Sequence, residues 1–219
     1  MVEQISCGMN NCYLVSGENG AVLVDTATAK FRDRILEKCK AANVRLILLT
    51  HGHYDHAQNA AYLSQALGVP VAMHPADIPL LENILAVPLY AHVFSGKAMA
   101  AVIRMGQHPK LKKIATRMQK NDIPAFVPDI ELFDGFSLAP YGADACVTAL
   151  PGHTPGSVGV LVGEDFLAGD ALMNISSPGR PLHYTDRTAM EASAARIAGL
   201  GENITVWFGH GGPEGNRAW

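Results

Sequence analysis

Four potential metal ligands fall within six positions of the run Leu49-Thr50-His51-Gly52-His53-Tyr54-Asp55-His56-Ala57-Gln58. Side chains of an extended turn alternate with a period of two, so His51 and His53 point the same way. Tightening toward a helix then brings Asp55 and His56 round to a neighbouring point. One short segment can therefore serve two cations. Imidazole and carboxylate donors suit zinc, iron or manganese, and with no cysteine nearby a thiolate structural site is not expected. Three imidazoles and a carboxylate at the end of an apolar run are costly to desolvate unless something satisfies them.

Three more candidates lie downstream. His153 sits in Leu150-Pro151-Gly152-His153-Thr154-Pro155-Gly156-Ser157, Asp170 ends Phe166-Leu167-Ala168-Gly169-Asp170, and His210 lies in Trp207-Phe208-Gly209-His210-Gly211. Each follows a strand-like apolar run and stands beside glycine. That is the setting in which a rigid strand fixes a loop and backbone approaches a crowded centre. No nucleophilic serine competes, because Gly156-Ser157 lacks a G-x-S-x-G frame, and no GKS or GKT completes a phosphate loop.

These residues need a scaffold that delivers them to one place. Short β-favouring runs over 12–15 and 21–24, split by the 17–20 turn, read as an opening antiparallel meander. Residues 30–42 have helical spacing, 44–49 form a continuous apolar run suited to a strand buried on both faces, 57–67 read as a helix closed by Gly68, and 71–73 as a strand. The second half repeats this grammar. Strands are expected over 136–138, 146–150, 158–162 and 165–168, a helix over 188–198 with Asp186 as N-cap, and a last strand over 204–208. Two β-rich halves, each ending in helix and strand, give an α+β protein with a four-layer αβ/βα sandwich.

The 219 residues are expected to form a single domain with a helical, lid-like insertion over 75–128. That insertion has seven basic residues (Lys97, Arg104, Lys110, Lys112, Lys113, Arg117, Lys120) against three acidic ones, leaving the remainder at −7. Residues 109–120 read as an amphipathic helix, and Lys97, Met99 and Arg104 are candidates to contact substrate. A net charge of −3 gives no global attraction to nucleic acid or anionic membranes, so neither is an expected partner, while self-association stays open. Without a secretory n-region or a membrane-length apolar run, the expected location is cytoplasmic, with the four cysteines as reduced thiols.

The run His51-Gly52-His53-Tyr54-Asp55-His56, with His153, Asp170, His210 and the earlier Val24-Asp25-Thr26, resembles the metallo-β-lactamase-fold superfamily in order and spacing across almost the whole chain. The resemblance implies that His51, His53 and His153 hold one metal, Asp55, His56 and His210 a second, and that Asp170 bridges them. It makes Asp25 a loop-bracing residue rather than a ligand. The cofactor expected is thus a pair of divalent ions, zinc first, with iron or manganese as alternatives. Metal-bound water has its pKa lowered toward ~7, so the expected reaction is attack by hydroxide on an ester, thioester or lactone, with Asp55 as an added catalytic residue that orients or shuttles the proton. The alternatives are a mononuclear iron enzyme resembling persulfide dioxygenases and a metal-dependent phosphodiesterase. An antibiotic-degrading role is not expected, since β-lactamases of this superfamily are normally exported and lack the bridging Asp. Nor is glutathione specificity, since only nine residues follow His210. Arg180, His183 and Tyr184, in the loop after Asp170, are expected to line the pocket of an anionic or acyl small molecule.

Overall fold

The computed structural model describes residues 1–83, 86–88, 90, 91 and 123–219. The chain opens with β1 (Val2–Cys7), β2 (Asn10–Gly17) and β3 (Gly20–Val24), joined as an antiparallel meander. Helix α1 (Arg32–Ala41) then crosses to β4 (Val44–Leu48), which lies parallel to β3. After α2 (Tyr54–Ala57) and α3 (Ala60–Leu67) comes β5 (Val71–Met73), parallel to β4. Next are α4 (Ile78–Glu82), β6 (Tyr90–Ala91) and β7 (Ile130–Glu131), and β7 completes a six-stranded sheet ordered β1-β2-β3-β4-β5-β7.

The second sheet starts with β8 (Cys146–Ala149), β9 (Val158–Val162) and β10 (Asp165–Gly169), all antiparallel neighbours. Short pieces follow: β11 (Met173–Asn174), β12 (Pro178–Gly179) and β13 (His183–Tyr184). After the helix Arg187–Ala198, β14 (Thr205–Phe208) runs parallel to β10, and β15 (Glu214–Gly215) closes the order β15-β14-β10-β9-β8.

Side-chain alternation along the strands creates the layers. In β2 and β3, Cys12, Leu14, Ala21 and Leu23 face a core shared with Ile35 and Cys39 of α1 and Leu63 of α3. Their neighbours Tyr13, Val15, Val22 and Val24 face the other way and meet Val147, Val158, Val160 and Leu167 of the second sheet. Phe166, Ala168, Val206 and Phe208 then pack on Ala194 and Ile197 of the C-terminal helix. This is the four-layer αβ/βα sandwich expected from the sequence.

Two expected elements differ. The helix read over 57–67 is interrupted, because Asn59 is diverted: its backbone N–H donates to Thr26 Oγ1 at 3.2 Å, and its side-chain amide donates to the carbonyls of Thr26 (2.7 Å) and Thr28 (2.8 Å). The strand read over 136–138 shrinks to one bridge between Ser137 and Cys146, since the chain turns at once into a 3-10 segment, Ala139–Tyr141, containing Pro140. Of the expected 75–128 insertion, the helix over 109–120 and residues Lys97, Met99 and Arg104 lie outside the described residues. Among the described residues no helix is long and apolar enough to cross a membrane.

The C-terminal helix begins as expected: the Asp186 carboxylate accepts from Ala189 N at 3.0 Å. Replacing Asp186 by Ala should cost about 1 kcal/mol of stability, roughly 2–4 °C in Tm. A thermal melt checks this, and an unchanged Tm would mean that the cap contributes nothing.

Candidate metal centre

Every expected ligand follows the C-terminal end of a strand, at one end of the sandwich. Strands β3 and β4 are parallel, so Asp25 and the 50–56 loop emerge together. In the second sheet β10 and β14 are parallel, and β8 shares their direction because β8 and β10 are both antiparallel to β9. His153, Asp170 and His210 therefore emerge at a common edge. Val158 N donates to Thr50 O at 2.9 Å and joins the two sheets there.

The seven side chains converge. His53 Nδ1 lies 3.0 Å from His51 Nε2 and 3.1 Å from His153 Nε2. Asp55, His56 and His210 form a second group, and His51, His56 and Asp170 a third, with the ligand atoms of each group within 4.8 Å of one another. Asp170 Oδ2 joins them, at 3.2 Å from His210 Nε2, 3.6 Å from His56 Nε2, 3.6 Å from His153 Nε2 and 3.9 Å from His51 Nε2. Gly209 permits this closeness: a Cβ there would stand 2.2 Å from Asp170 Oδ1.

Outward-facing hydrogen bonds set which ring nitrogen looks inward. A carbonyl only accepts, so His153 donates from Nδ1 to His183 O (3.0 Å) and His210 from Nδ1 to Met9 O (2.9 Å). His56 Nδ1 lies 2.8 Å from Asp25 Oδ2. Thr50 Oγ1 donates to the same Asp25 oxygen at 2.8 Å and lies 3.0 Å from His51 Nδ1. In all four imidazoles Nε2 is left for the centre, an orientation typical of metal-binding histidines. Asp25, with its backbone at φ 62, is thus the brace expected of it.

Burial keeps His51 and His153 well below the ordinary imidazole range and pushes His53 down to about 3, with neighbouring rings adding to the effect. Burial also works against charge on His56, but Asp170, Asp25 and Asp55 outweigh it and hold His56 well above that range. His210 is raised in the same way, chiefly by Asp170 against its burial. Asp170, whose burial opposes ionisation, is kept well below the usual carboxylate range by His56 and His210.

The sequence matches the Metallo-beta-lactamase superfamily over residues 5–210. The chain belongs to that superfamily. It is similar to hydroxyacylglutathione hydrolase GloC of Haemophilus influenzae, 25% identical over 94% of this chain and 88% of that protein. Among solved structures it is similar to TTHA1623 in a di-iron-bound form, with 28% identity, a TM-score of 0.69, and coverage of 98% of this chain and 94% of that one. It also resembles the BLEG-1 B3 metallo-beta-lactamase, at 25% identity and TM-score 0.70 over 98% and 94% of the two chains.

The residues of this superfamily member fit a resident cation pair. His56 Nε2 and Asp170 Oδ1 are buried with no hydrogen-bond partner among the described residues. The donors are imidazole nitrogen and carboxylate oxygen, without thiolate, a set suited to zinc, iron or manganese. A lone proton cannot serve His53 Nδ1 and the two nitrogens that meet it at once, whereas a cation can.

The residues expected to line the pocket are placed differently from one another. His183 is packed against the centre, its ring 4.6 Å from that of His153 and 5.3 Å from that of His53. Tyr184 lies one residue further out, with its ring 5.9 Å from Tyr90. Arg180 turns to the C-terminal helix and donates to Glu191 Oε2 from Nε (3.0 Å) and Nη2 (2.6 Å). His74 accepts from Ala76 N and lies apart from the groups, while His92 and His108 are outside the described residues.

Sequence reasoning missed three contributors. Asn10 donates to Asp55 Oδ2 at 2.8 Å, Met9 supplies the carbonyl for His210, and the buried Asp77 accepts from both ligand loops. Met9 sits in the β1–β2 turn and Asn10 opens β2, where the sequence signal is Gly8 followed by Met9 and a pair of asparagines.

With His56 and His210 raised and His51, His53 and His153 lowered, cations should compete with protons more strongly at the Asp55, His56, His210 group than at the other. Titrating metal-free protein with zinc at pH 7 should release protons on filling the Asp55, His56, His210 group. The affinity of that group should fall as pH is lowered. Calorimetry in buffers of different ionisation enthalpy measures the release, and zero release contradicts the charge assignment.

Proposed function

We propose that the chain is a dinuclear metal-dependent hydrolase that cleaves an ester, thioester or lactone of a small molecule. The observation that carries this is Asp170 Oδ2, which stands among four Nε2 atoms drawn from both histidine groups. His51, His53 and His153 would hold one cation, Asp55, His56 and His210 would hold the other, and Asp170 would serve both. When bound, such cations make ionised water available near neutral pH and polarise a carbonyl.

The chain's own residues do the positioning. Asp55 Oδ2 accepts from Asn10 Nδ2 and faces His210 Nε2 at 3.7 Å and His56 Nε2 at 3.9 Å. Its side chain is 22% exposed against 3% for Asp170, so Asp55 is the carboxylate that meets substrate and can hold or pass a proton. His183 and Tyr184 line the His53–His153 side of the mouth. Arg180, engaged by Glu191, shapes that wall and reaches substrate less directly.

A complete second group of ligands favours two cations over a single iron, and so favours hydrolysis over the dioxygenase-like alternative. Zinc is the metal proposed, and the di-iron form of TTHA1623 supports iron as the alternative. The similarity to hydroxyacylglutathione hydrolase GloC supports a thioester within the substrate class. This chain spans 88% of that hydrolase, so its length is no bar to a glutathione thioester as substrate. A cytoplasmic location belongs to the same reading and is consistent with the free, buried Cys7, Cys12 and Cys39.

Protein purified without added metal should contain close to two equivalents of zinc or iron by elemental analysis and should hydrolyse acyl esters, thioesters or lactones. Bis(4-nitrophenyl) phosphate tests the phosphodiesterase alternative. Asp170→Ala should lose metal and activity together. Retention of both metals in that variant contradicts the bridging role. Chelation should lower stability by about 4 kcal/mol for each site at which free metal stood at a thousand times Kd, seen as a Tm drop of roughly 8–16 °C per site.

A further inference from the structure

Asp77 is fully buried, at 0% exposure, and lies outside the seven ligands. It precedes α4 at the N-cap position, where an Asp side chain ordinarily accepts from the first turn of the helix. Here it makes no such bond. Both of its oxygens are turned instead to the ligand loops. Oδ2 accepts from Gly52 N at 3.0 Å and from Thr154 Oγ1 at 2.6 Å, and Oδ1 accepts from Gly156 N at 2.6 Å. Gly52 lies between His51 and His53, and Thr154 follows His153. The glycines are shaped for this contact: a Cβ on Gly156 would stand 2.8 Å from Asp77 Oδ1, and one on Gly52 would stand 2.8 Å from Asp77 O.

The selectivity of these bonds is the informative feature. The bonds come from Gly52, between His51 and His53, and from Thr154 and Gly156, beside His153; none comes from α2, which carries Asp55 and His56, or from the His210 loop. Asp25 has a different assignment, since it touches His56 directly and His51 through Thr50. We propose that Asp77 is the positioning residue of the His51–His53–His153 group, the carboxylate that holds two loops from different sheets at the separation one cation requires. The proposal rests on the dinuclear reading above. It adds that the His51–His53–His153 site has a brace of its own in Asp77, beside the Asp25 brace that touches both groups, so that this site can be emptied separately.

Outer partners of metal ligands are typically worth 10–100-fold in metal affinity. In Asp77→Asn, the amide nitrogen replaces one acceptor and faces an N–H or hydroxyl donor. The variant should bind one equivalent of metal as the wild type does and the second equivalent 10–100-fold more weakly. Stepwise zinc titration against a chromophoric chelator measures this, and the cobalt-substituted protein should show the loss of one of two sets of visible bands. Thr154→Val, which removes one hydrogen bond and leaves the carboxylate, should act on the same equivalent by a smaller factor. It also provides the test if Asp77→Asn does not fold. Equal weakening of both equivalents, or of neither, overturns the proposal. A second readout needs no metal: amide exchange at Gly52 and Gly156 should be slow in metal-free wild type and faster in both variants, with Asn11 and Gly209 unchanged. If wild type binds no metal but those amides respond, the dinuclear reading fails and the brace stands. If wild type binds two metals and the amides do not respond, the brace fails alone.

Discussion

The structure depends on a carboxylate buried among imidazoles. Asp170 sits at the end of β10 with almost no access to water, and an ion so placed is tolerable only if opposite charge surrounds it. Four Nε2 atoms within 3.9 Å meet that need, whether by the protons on His56 and His210 or by cations that replace them. Much of the rest follows from keeping those rings in place. The Nδ1 of each is tied to a carbonyl, a hydroxyl or Asp25, the strands supply rigid anchors for the loops, and Gly209 is small because anything larger would strike Asp170.

Two sheets with helices outside are a means of bringing distant loops to one edge. The first sheet brings Asp25 and the 50–56 loop, the second brings His153, Asp170 and His210, and the apolar layer between the sheets fixes their separation. That layer is built from Val15, Val22, Leu46 and Leu48 on one side and Val147, Val160 and Leu167 on the other. Its packing sets the distance across the metal centre, and polar contacts such as those of Asp77 and Thr154 refine it.

The ligands were legible in the sequence because their signal is dense: a histidine-rich run and three polar residues, each ending an apolar strand beside glycine. The Asp186 cap and the C-terminal helix were legible for local reasons too. Long-range partners decided what was not legible. Asn59 looks like any helical residue until Thr26 and Thr28 stand opposite it. Strands β11 to β13 are too short to carry a period, and β13 exists because it pairs with β6. Asp77 had a faint signal, an Asp beside prolines at a helix start, but that pattern ordinarily means a cap. The loops it serves lie 25 and 77 positions away in sequence.

The hydrogen bond from His210 to the carbonyl of Met9 joins residues 201 positions apart, and Asn11 reaches Phe208 and Gly211 in the same way. The centre is therefore stitched from both extremes of this sequence. In synthesis order the Met9 carbonyl comes before all seven ligands and its partner His210 after the other six. The complete ligand set can therefore form only once His210 has been made, and a product cut before it would leave Asp55 and His56 without their third partner.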